Sequence, residues 1–291
     1  PTPSLYDRPG FGGKGYWLDG VPLDCWKDWS AFLGMFAHDS RQRELDRSVF
    51  VVQGNASHSL TQGEDVLLVA RQWDAQVSTS DALLYAYQIL SPACAIGIRG
   101  DLRATLCAEL ALWDFELCGE LSRLGLSCLT EPGEFLLSYA RSRSWHELPA
   151  DAPDEVLWNE GIVHEIDGRR RLHSAYLAVR RQKSELKRRV WQAELKVLFP
   201  FLEEKRVQIV EGFGRHFELP YTLEDGRTIT EPLDLELGAI CRQFAKSPRV
   251  PRKLRDFLRL LRDVRNSLAH LKAIDSAHLT GQLFDLDIGA L

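Results

Sequence analysis

The chain has 291 residues, of which 45% are hydrophobic and 26% are charged. These proportions are typical of a globular protein and argue against a mostly disordered one. The length suffices for one large domain or for two to three small ones. No stretch approaches about 18 consecutive apolar residues, so we predict no membrane span and no membrane partner.

The start of the chain and its cysteines indicate where the protein works. Residues 1–17 lack the basic and then apolar order of a secretory signal. Residue 1 is proline and the only methionine is Met35, so we expect a trimmed chain or the C-terminal piece of a longer protein. The six cysteines show neither a CxxC pair nor a zinc-like spacing. We therefore predict reduced core thiols in a cytoplasmic protein, with no metal and no cofactor.

Charge is unevenly distributed along the chain. Residues 1–150 contain 12 Lys and Arg against 19 Asp and Glu, whereas residues 151–291 contain 24 against 22. The strongest local bias is at 246–272, where nine basic residues stand against Asp256 and Asp263. If any part of the chain binds a polyanion, this stretch is the candidate.

Residues 1–100 predict a small α/β region. Two short runs of β-branched and apolar residues, 48–53 and 65–71, are typical of buried strands. A helix should follow the second run, with Ser80 or Asp81 as its N-cap. The glycine-rich string at 10–15 lacks the spacing of a phosphate-binding loop, so we predict no nucleotide site there.

Residues 101–180 predict a winged-helix-like module. Apolar residues first recur at helical spacing, and two alternating runs then flank Asp167-Gly168, which is a strong signal of a β-hairpin. Three consecutive arginines, 169–171, follow this turn, and they leave duplex DNA binding open as an alternative. The net charge of −5 makes that alternative the weakest. We expect His164 and His173 on the surface of the hairpin.

Residues 184–291 predict a helical bundle. A first helix, 184–213, has an apolar stripe and a kink at Pro200. Two further helices follow, over 233–246 and from residue 252 onward, after a loop or small hairpin. The solvated face of the first helix should carry three glutamates, Glu194, Glu203 and Glu204. The predicted fold is thus mainly α, with a small α/β and winged-helix-like N-terminal part and a C-terminal helical bundle.

One short string near the C-terminus has the residue types of a catalytic site. Four residues separate Arg265 from His270, Asn266 directly follows the arginine, and the stretch before them is basic and leucine-rich. This RNxxxH pattern in the last long predicted helix resembles the signature of the HEPN superfamily. The resemblance covers about 184–285, roughly a third of the chain.

The resemblance implies a metal-independent endoribonuclease. In such families the histidine is the general acid or base on the 2′-hydroxyl or the leaving 5′-oxygen, which gives this role to His270. The arginine binds the scissile phosphate, which gives that role to Arg265, and Asn266 would orient the phosphate or hold the backbone. The residue types suit these roles by themselves, because imidazole exchanges protons near neutral pH and guanidinium offers a fork of donors to phosphate oxygens.

Helix geometry limits how Arg265 and His270 can act together. Residues five apart on a straight helix point about 140° apart, so one unbroken helix does not easily direct both at one phosphate. Either Asn266 or Ser267 breaks the helix and caps a new one, or the site forms across a twofold dimer, as HEPN-like sites usually do. We favour the dimer.

The region upstream is similar, diffusely, to the later part of prokaryotic STAND-type ATPases or of their inactive relatives in conflict and phage-defence systems. The predicted function is therefore a component of a prokaryotic defence system whose HEPN-like domain cleaves RNA, as a homodimer or in a larger protein complex. The alternative is a non-catalytic binding or oligomerisation module. A core-facing change, Leu261→Asp, should then abolish assembly, because a buried charge without a partner is costly.

Overall fold

The structure is a computed structural model, which describes residues 10–18, 21–42, 48–53, 67–69, 77–91, 96–245, 247–279 and 281–289. Internal contacts divide the chain into two compact units, the first formed by residues 1–74 and 152–163 and the second by 75–151 and 164–291. The described part is mainly helical, as predicted from the sequence. Within it, no helix is both long enough and apolar enough to cross a membrane.

The first unit contains a parallel strand–helix–strand arrangement. Strands β1 (Gly15–Leu18) and β2 (Val49–Val52) pair in parallel, and helix α1 (Leu23–Gln42) connects them. The prediction of a buried strand at 48–53 was half wrong, because Val49 and Val51 on one face of β2 are exposed. Of the second predicted strand only 67–69 lies within the described residues, and Leu68 forms an isolated bridge there. The core of the first unit contains Val21, Trp26, Phe32 and Leu33. A short helix, α7 (Asp154–Asn159), also belongs to this unit.

The second unit begins with a run of helices. The first of them, α2 (Thr79–Ile89), begins at Ser78, whose hydroxyl accepts a hydrogen bond from the Asp81 backbone N–H while the Asp81 carboxylate accepts from the Ser78 backbone. This capping box lies two residues before the predicted Ser80 cap. The four helices that follow are α3 (Gly97–Ala111), α4 (Phe115–Leu121), α5 (Leu126–Thr130) and α6 (Gly133–Ser142).

The predicted β-hairpin is present. Strands β3 (Val163–Ile166) and β4 (Arg169–Leu172) pair around Asp167-Gly168, which have φ angles of 49° and 68°. Two positive φ angles are the mark of a tight turn whose twist matches that of the strands. The Asp167 carboxylate accepts a hydrogen bond of 3.2 Å from the Thr79 backbone N–H. The tip is therefore tied to the first turn of α2 rather than free.

Helix α9 (Lys183–Phe213) is the longest of the described helices and contains Pro200. It packs against α3, against α8 (Ser174–Val179) and against α11 (Arg252–Ala269). Between α9 and α10 (Leu237–Ala245), where a loop or small hairpin was predicted, the strands β5 (Tyr221–Thr222) and β6 (Thr228–Ile229) pair antiparallel. Helix α10 packs on α11, and a short helix, α12 (Gly281–Phe284), follows.

Helix α11 is amphipathic. Its apolar residues recur every three or four positions and are buried on one face, while its other faces are strongly basic. Leu261 is completely buried within its own chain. Leu261→Asp would therefore unfold this part of the protein, so that it does not test assembly. The buried residues of α11 are Leu254, Phe257, Leu258, Leu261, Val264 and Leu268.

The cysteines are only partly in the core. Cys107 and Cys118 are buried, and burial raises the pKa of each thiol to about 12. Cys25 and Cys128 are exposed, so the prediction of core thiols was wrong for these two. Cys241 is half-buried, and Cys94 lies outside the described residues.

Candidate functional site

The predicted motif lies at the C-terminal end of α11. The helix continues without a break through Asn266 and Ser267 and ends at Ala269, and His270 is its C-cap. The hypothesis that Asn266 or Ser267 breaks the helix was therefore wrong. The side chains of Asn266 and His270 are exposed, and that of Arg265 is half-buried.

The end of α11 has the hydrogen bonds of a Schellman cap. The Lys272 N–H donates to the Ser267 carbonyl at 3.0 Å, and the Leu271 N–H donates to the Leu268 carbonyl at 3.2 Å. Leu271 has a φ of 58°, a left-handed conformation that usually requires glycine at this position. Its side chain is also 71% exposed. His270 thus stands next to a strained, exposed leucine on a well-defined turn.

Two side chains of α9 hold the segment that contains His270. The Trp191 indole N–H donates to the Leu268 carbonyl at 2.9 Å, and the Glu194 carboxylate accepts a hydrogen bond of 2.8 Å from the Ile274 N–H. These two contacts bracket His270 on both sides. Trp191 and Glu194 are therefore positioning residues for the end of α11.

Glu194 was predicted on a solvated face, and this prediction was wrong. Its side chain is completely buried, and burial raises the pKa of Glu194 to about 8. One carboxylate oxygen accepts from Ile274, and the other has no hydrogen-bond partner among the described residues. The sequence did hold a signal, because Glu194 lies three residues after Trp191 and four before Leu198, which places it on the apolar face.

Arg265 and Asn266 line a surface cavity of about 520 Å³, here called the motif cavity. His270 is not among the described residues that line it. The Arg265 side chain is 39% exposed, and its guanidinium lies 3.7 Å from the Glu236 carboxylate, which also faces the cavity. The other charged residues of the lining are Arg227, Arg242, Arg262, Glu224, Asp225 and Asp234.

The charges of the motif cavity balance but pair weakly. Four arginines stand against four carboxylates. Two of the pairs are Arg242–Glu224 at 3.2 Å and Arg265–Glu236 at 3.7 Å, whose carboxylate side chains are 86% and 72% exposed. Exposed ion pairs contribute only about 0–1 kcal/mol. A phosphate that binds Arg265 therefore loses little free energy by replacing the Glu236 carboxylate.

Arg265 and His270 point apart within one chain. Because α11 is unbroken between them, the two positions are separated by about 7.5 Å along the helix axis and by a rotation of about 140°. Arg265 lies at the motif cavity, and His270 is exposed at the helix end. The fold brings Arg265 and Asn266 together and leaves His270 apart from them.

The sequence analysis missed a buried polar network in the second unit. Its centre is His173, which was predicted on the surface and is completely buried. The His173 Nε2 lies 3.2 Å from Asp114 Oδ2, which also accepts a hydrogen bond of 2.6 Å from the Tyr139 hydroxyl. The His173 Nδ1 accepts from the Ala175 N–H and so caps α8. The position of His173 directly before a helix was the only local sign of this role.

The network fixes the charges of its members. Burial alone would raise the pKa of Asp114, but hydrogen bonds from His173, from Tyr139 and from the Leu117 N–H outweigh it and lower this pKa to about 2. Burial lowers the pKa of His173, and protonation would also break its bond from Ala175. His173 is therefore neutral and Asp114 ionised at pH 7.

We expect this network to make stability depend on pH. As the pH falls below about 6.5, the unfolded chain binds a proton at His173 that the folded chain does not, so the free energy of unfolding decreases. Below the ordinary Asp pKa of 3.8, Asp114 adds a second loss that is complete near pH 2. His173→Gln should cost about 1–3 kcal/mol at pH 7 and flatten the slope between pH 6.5 and 5, as measured by urea unfolding. The exposed His146, changed to Gln, is the control, and an equal slope in the two variants would contradict this account.

Within the described ranges, no three His, Cys, Asp or Glu side chains are grouped so that they could hold a metal ion. Comparison with protein-family models, with curated proteins and with solved structures found no match to this chain.

Proposed function

We propose that the C-terminal helices form a HEPN-like domain that cleaves RNA without a metal, with two equivalent sites built across a twofold dimer. One observation carries the proposal: Arg265 and Asn266 face the motif cavity, while His270 is exposed at the end of the same helix and does not line that cavity. A second copy of the chain, related by a twofold axis, would add its own histidine to this arginine.

The proposed roles follow from the side chains. Arg265 offers two parallel N–H donors to the phosphate oxygens and offsets the charge that develops on them. Asn266 orients the phosphate from the same cavity wall. The partner's His270 takes the proton of the 2′-hydroxyl or gives one to the leaving 5′-oxygen. The Schellman cap, Trp191 and Glu194 keep the segment around each histidine in place.

Exposed surface near the motif favours a dimer over a monomeric site. Leu271 is a largely exposed leucine in a left-handed backbone conformation, and it is the side chain through which we propose the contact. It lies next to His270, so contact through Leu271 would bring the histidine to the partner. The weak pairing of Arg265 with Glu236 leaves the arginine available to RNA.

The test is cleavage of transfer RNA and of a labelled single strand in EDTA. Wild-type protein is expected to cleave and to leave ends with a cyclic phosphate. His270→Ala should reduce the rate by at least 100-fold, because general acid–base catalysis contributes about 10²–10⁴. His278→Ala removes another exposed histidine of the same region and should keep full activity. Equal rates for both variants, or cleavage only after a metal is added, would contradict the proposal.

The second candidate is a non-catalytic binding or oligomerisation module. The balance of four arginines and four carboxylates in the motif cavity favours it, because a nuclease site usually carries an excess of positive charge. This second candidate predicts that the wild type does not cleave RNA and that Leu271→Asp weakens its assembly.

In either case we propose a cytoplasmic component of a prokaryotic defence system, in which the winged-helix-like module and the STAND-like region regulate the C-terminal domain.

A further inference from the structure

A second, smaller cleft lies between α10 and α11, beside the motif cavity. Its volume is about 140 Å³. This is several times the roughly 30 Å³ that one water molecule takes up in the liquid, but it is below the roughly 300–1,000 Å³ of sites for drug-sized ligands. A small ion or a single phosphate group fits it. We call it the arginine cleft, after the four arginines that line it: Arg242, Arg255, Arg259 and Arg262.

The arginine cleft has one sign of charge. No carboxylate is among the described residues that line it. Arg259 and Arg262 each bind a neighbouring aspartate at 2.9 Å, and Arg242 binds Glu224 at 3.2 Å. These three pairs are solvent-exposed and weak. The Nε atom of Arg255 is buried and has no hydrogen-bond partner in the described part of the chain. Four clustered cations repel one another unless an anion lies between them.

The helix places this cleft in line with the motif. Arg255, Arg259, Arg262 and Asn266 recur at intervals of four, three and four residues, so they follow one face of α11. Arg242 and Arg262 line both the arginine cleft and the motif cavity. Along the axis of α11, the middle of the segment from Arg255 to Arg262 lies about 10 Å from Arg265, at 1.5 Å per residue.

We propose that the arginine cleft is a phosphate-binding subsite, and that it holds a second phosphate of the RNA strand, one or two nucleotides away from the phosphate bound by Arg265. The second part rests on the proposed function, whereas the first stands on the cleft alone. Guanidinium groups bind phosphate through paired N–H donors. An RNA held at two phosphates is fixed in register, so the cleft selects which bond reaches the site.

The first experiment uses inorganic phosphate and the whole chain. Thermal unfolding is followed in phosphate and in chloride of equal ionic strength. The unfolding temperature of the wild type should rise by roughly 2 °C when the phosphate concentration is about tenfold above the dissociation constant. Arg255→Gln/Arg259→Gln should lose this gain, and should unfold at an equal or higher temperature in chloride, because repulsion is relieved. The control, Arg252→Gln/Lys253→Gln, removes two charges from the same helix outside the cleft and should keep the gain.

The second experiment measures RNA binding by fluorescence anisotropy over a range of salt concentrations. The Arg255→Gln/Arg259→Gln protein should bind several-fold more weakly, with a salt slope smaller by about one. If phosphate raises the unfolding temperature of the wild type but the wild type binds no RNA, the subsite is supported and the RNA function is contradicted. If the wild type binds RNA but phosphate raises the unfolding temperature of both double variants equally, the subsite is overturned and the proposed function stands. Absence of any phosphate gain in wild type would overturn the subsite as well.

Discussion

A one-to-one mixture of Arg265→Ala and His270→Ala proteins is expected to recover about a quarter of the wild-type RNA cleavage, although each variant alone is inactive. In a site built across a twofold axis, one subunit supplies the arginine and the other the histidine. A mixed dimer then has one site with both residues intact and one site with neither. About half of the dimers are mixed after exchange, and each has one active site of two.

The mixture separates the two possible geometries of the site. If Arg265 and His270 of the same chain acted together, every chain in the mixture would lack one of them and no activity would return. The orientation of the two residues on unbroken α11 excludes this geometry unless the helix end rearranges. Subunits must exchange for the test to work, so the proteins are mixed in mild denaturant and refolded together. A mixture of His270→Ala with His270→Ala/Arg265→Ala is the control and should stay inactive.

Glu194→Gln is expected to stabilise the protein by on the order of 3 kcal/mol at pH 7 and to change little at pH 4. Burial raises the pKa of Glu194 in the folded chain to about 8, from an ordinary value of 4.5. The unfolded chain therefore releases a proton above pH 4.5 that the folded chain retains. The free energy of unfolding falls as pH rises from about 4.5 to 8, and glutamine removes this dependence while its side-chain oxygen can still accept from Ile274.

Urea unfolding at pH 4, 6 and 8 measures this effect. Glu204 on the same helix is exposed, and Glu204→Gln is the matched control, which should follow the wild type at all three pH values. A Glu194→Gln protein that loses stability at pH 8 would show that the carboxylate is ionised and bound to a partner. The same variant also tests whether Glu194 positions the end of α11. If it loses RNA cleavage but keeps its stability, the carboxylic acid group of Glu194 is needed to hold that end in place.

Several elements followed from the sequence alone. The hairpin formed where Asp167 and Gly168 predicted it, because a tight turn with two positive φ angles is a local property of those residues. Both ends of α9 and the start of α11 fell within about one residue of their predicted places. The identity of Arg265, Asn266 and His270 as one candidate group came from their spacing, which needs no knowledge of the fold.

Other features depended on contacts between distant parts of the chain. Residues 15–18 became strand β1 because β2 pairs with them, and no local pattern indicated that pairing. His173 was buried by its bond to Asp114, which lies 59 residues earlier. The burial of Glu194 was visible as a position on the apolar face but contradicted its residue type, and only its bond to Ile274, 80 residues later, accounts for it.

The sequence by itself determined which residues share a face of each helix, because the helical period fixes their relative directions. It thereby set the apolar stripe of α11 and the line of arginines opposite to it. Only the tertiary structure decided which faces are covered and which charges meet: that α10 brings Arg242 beside Arg255, Arg259 and Arg262, and that α9 holds the turn around His270. These contacts join residues far apart in the chain, and their free energy depends on the packing of whole elements, which no local pattern records.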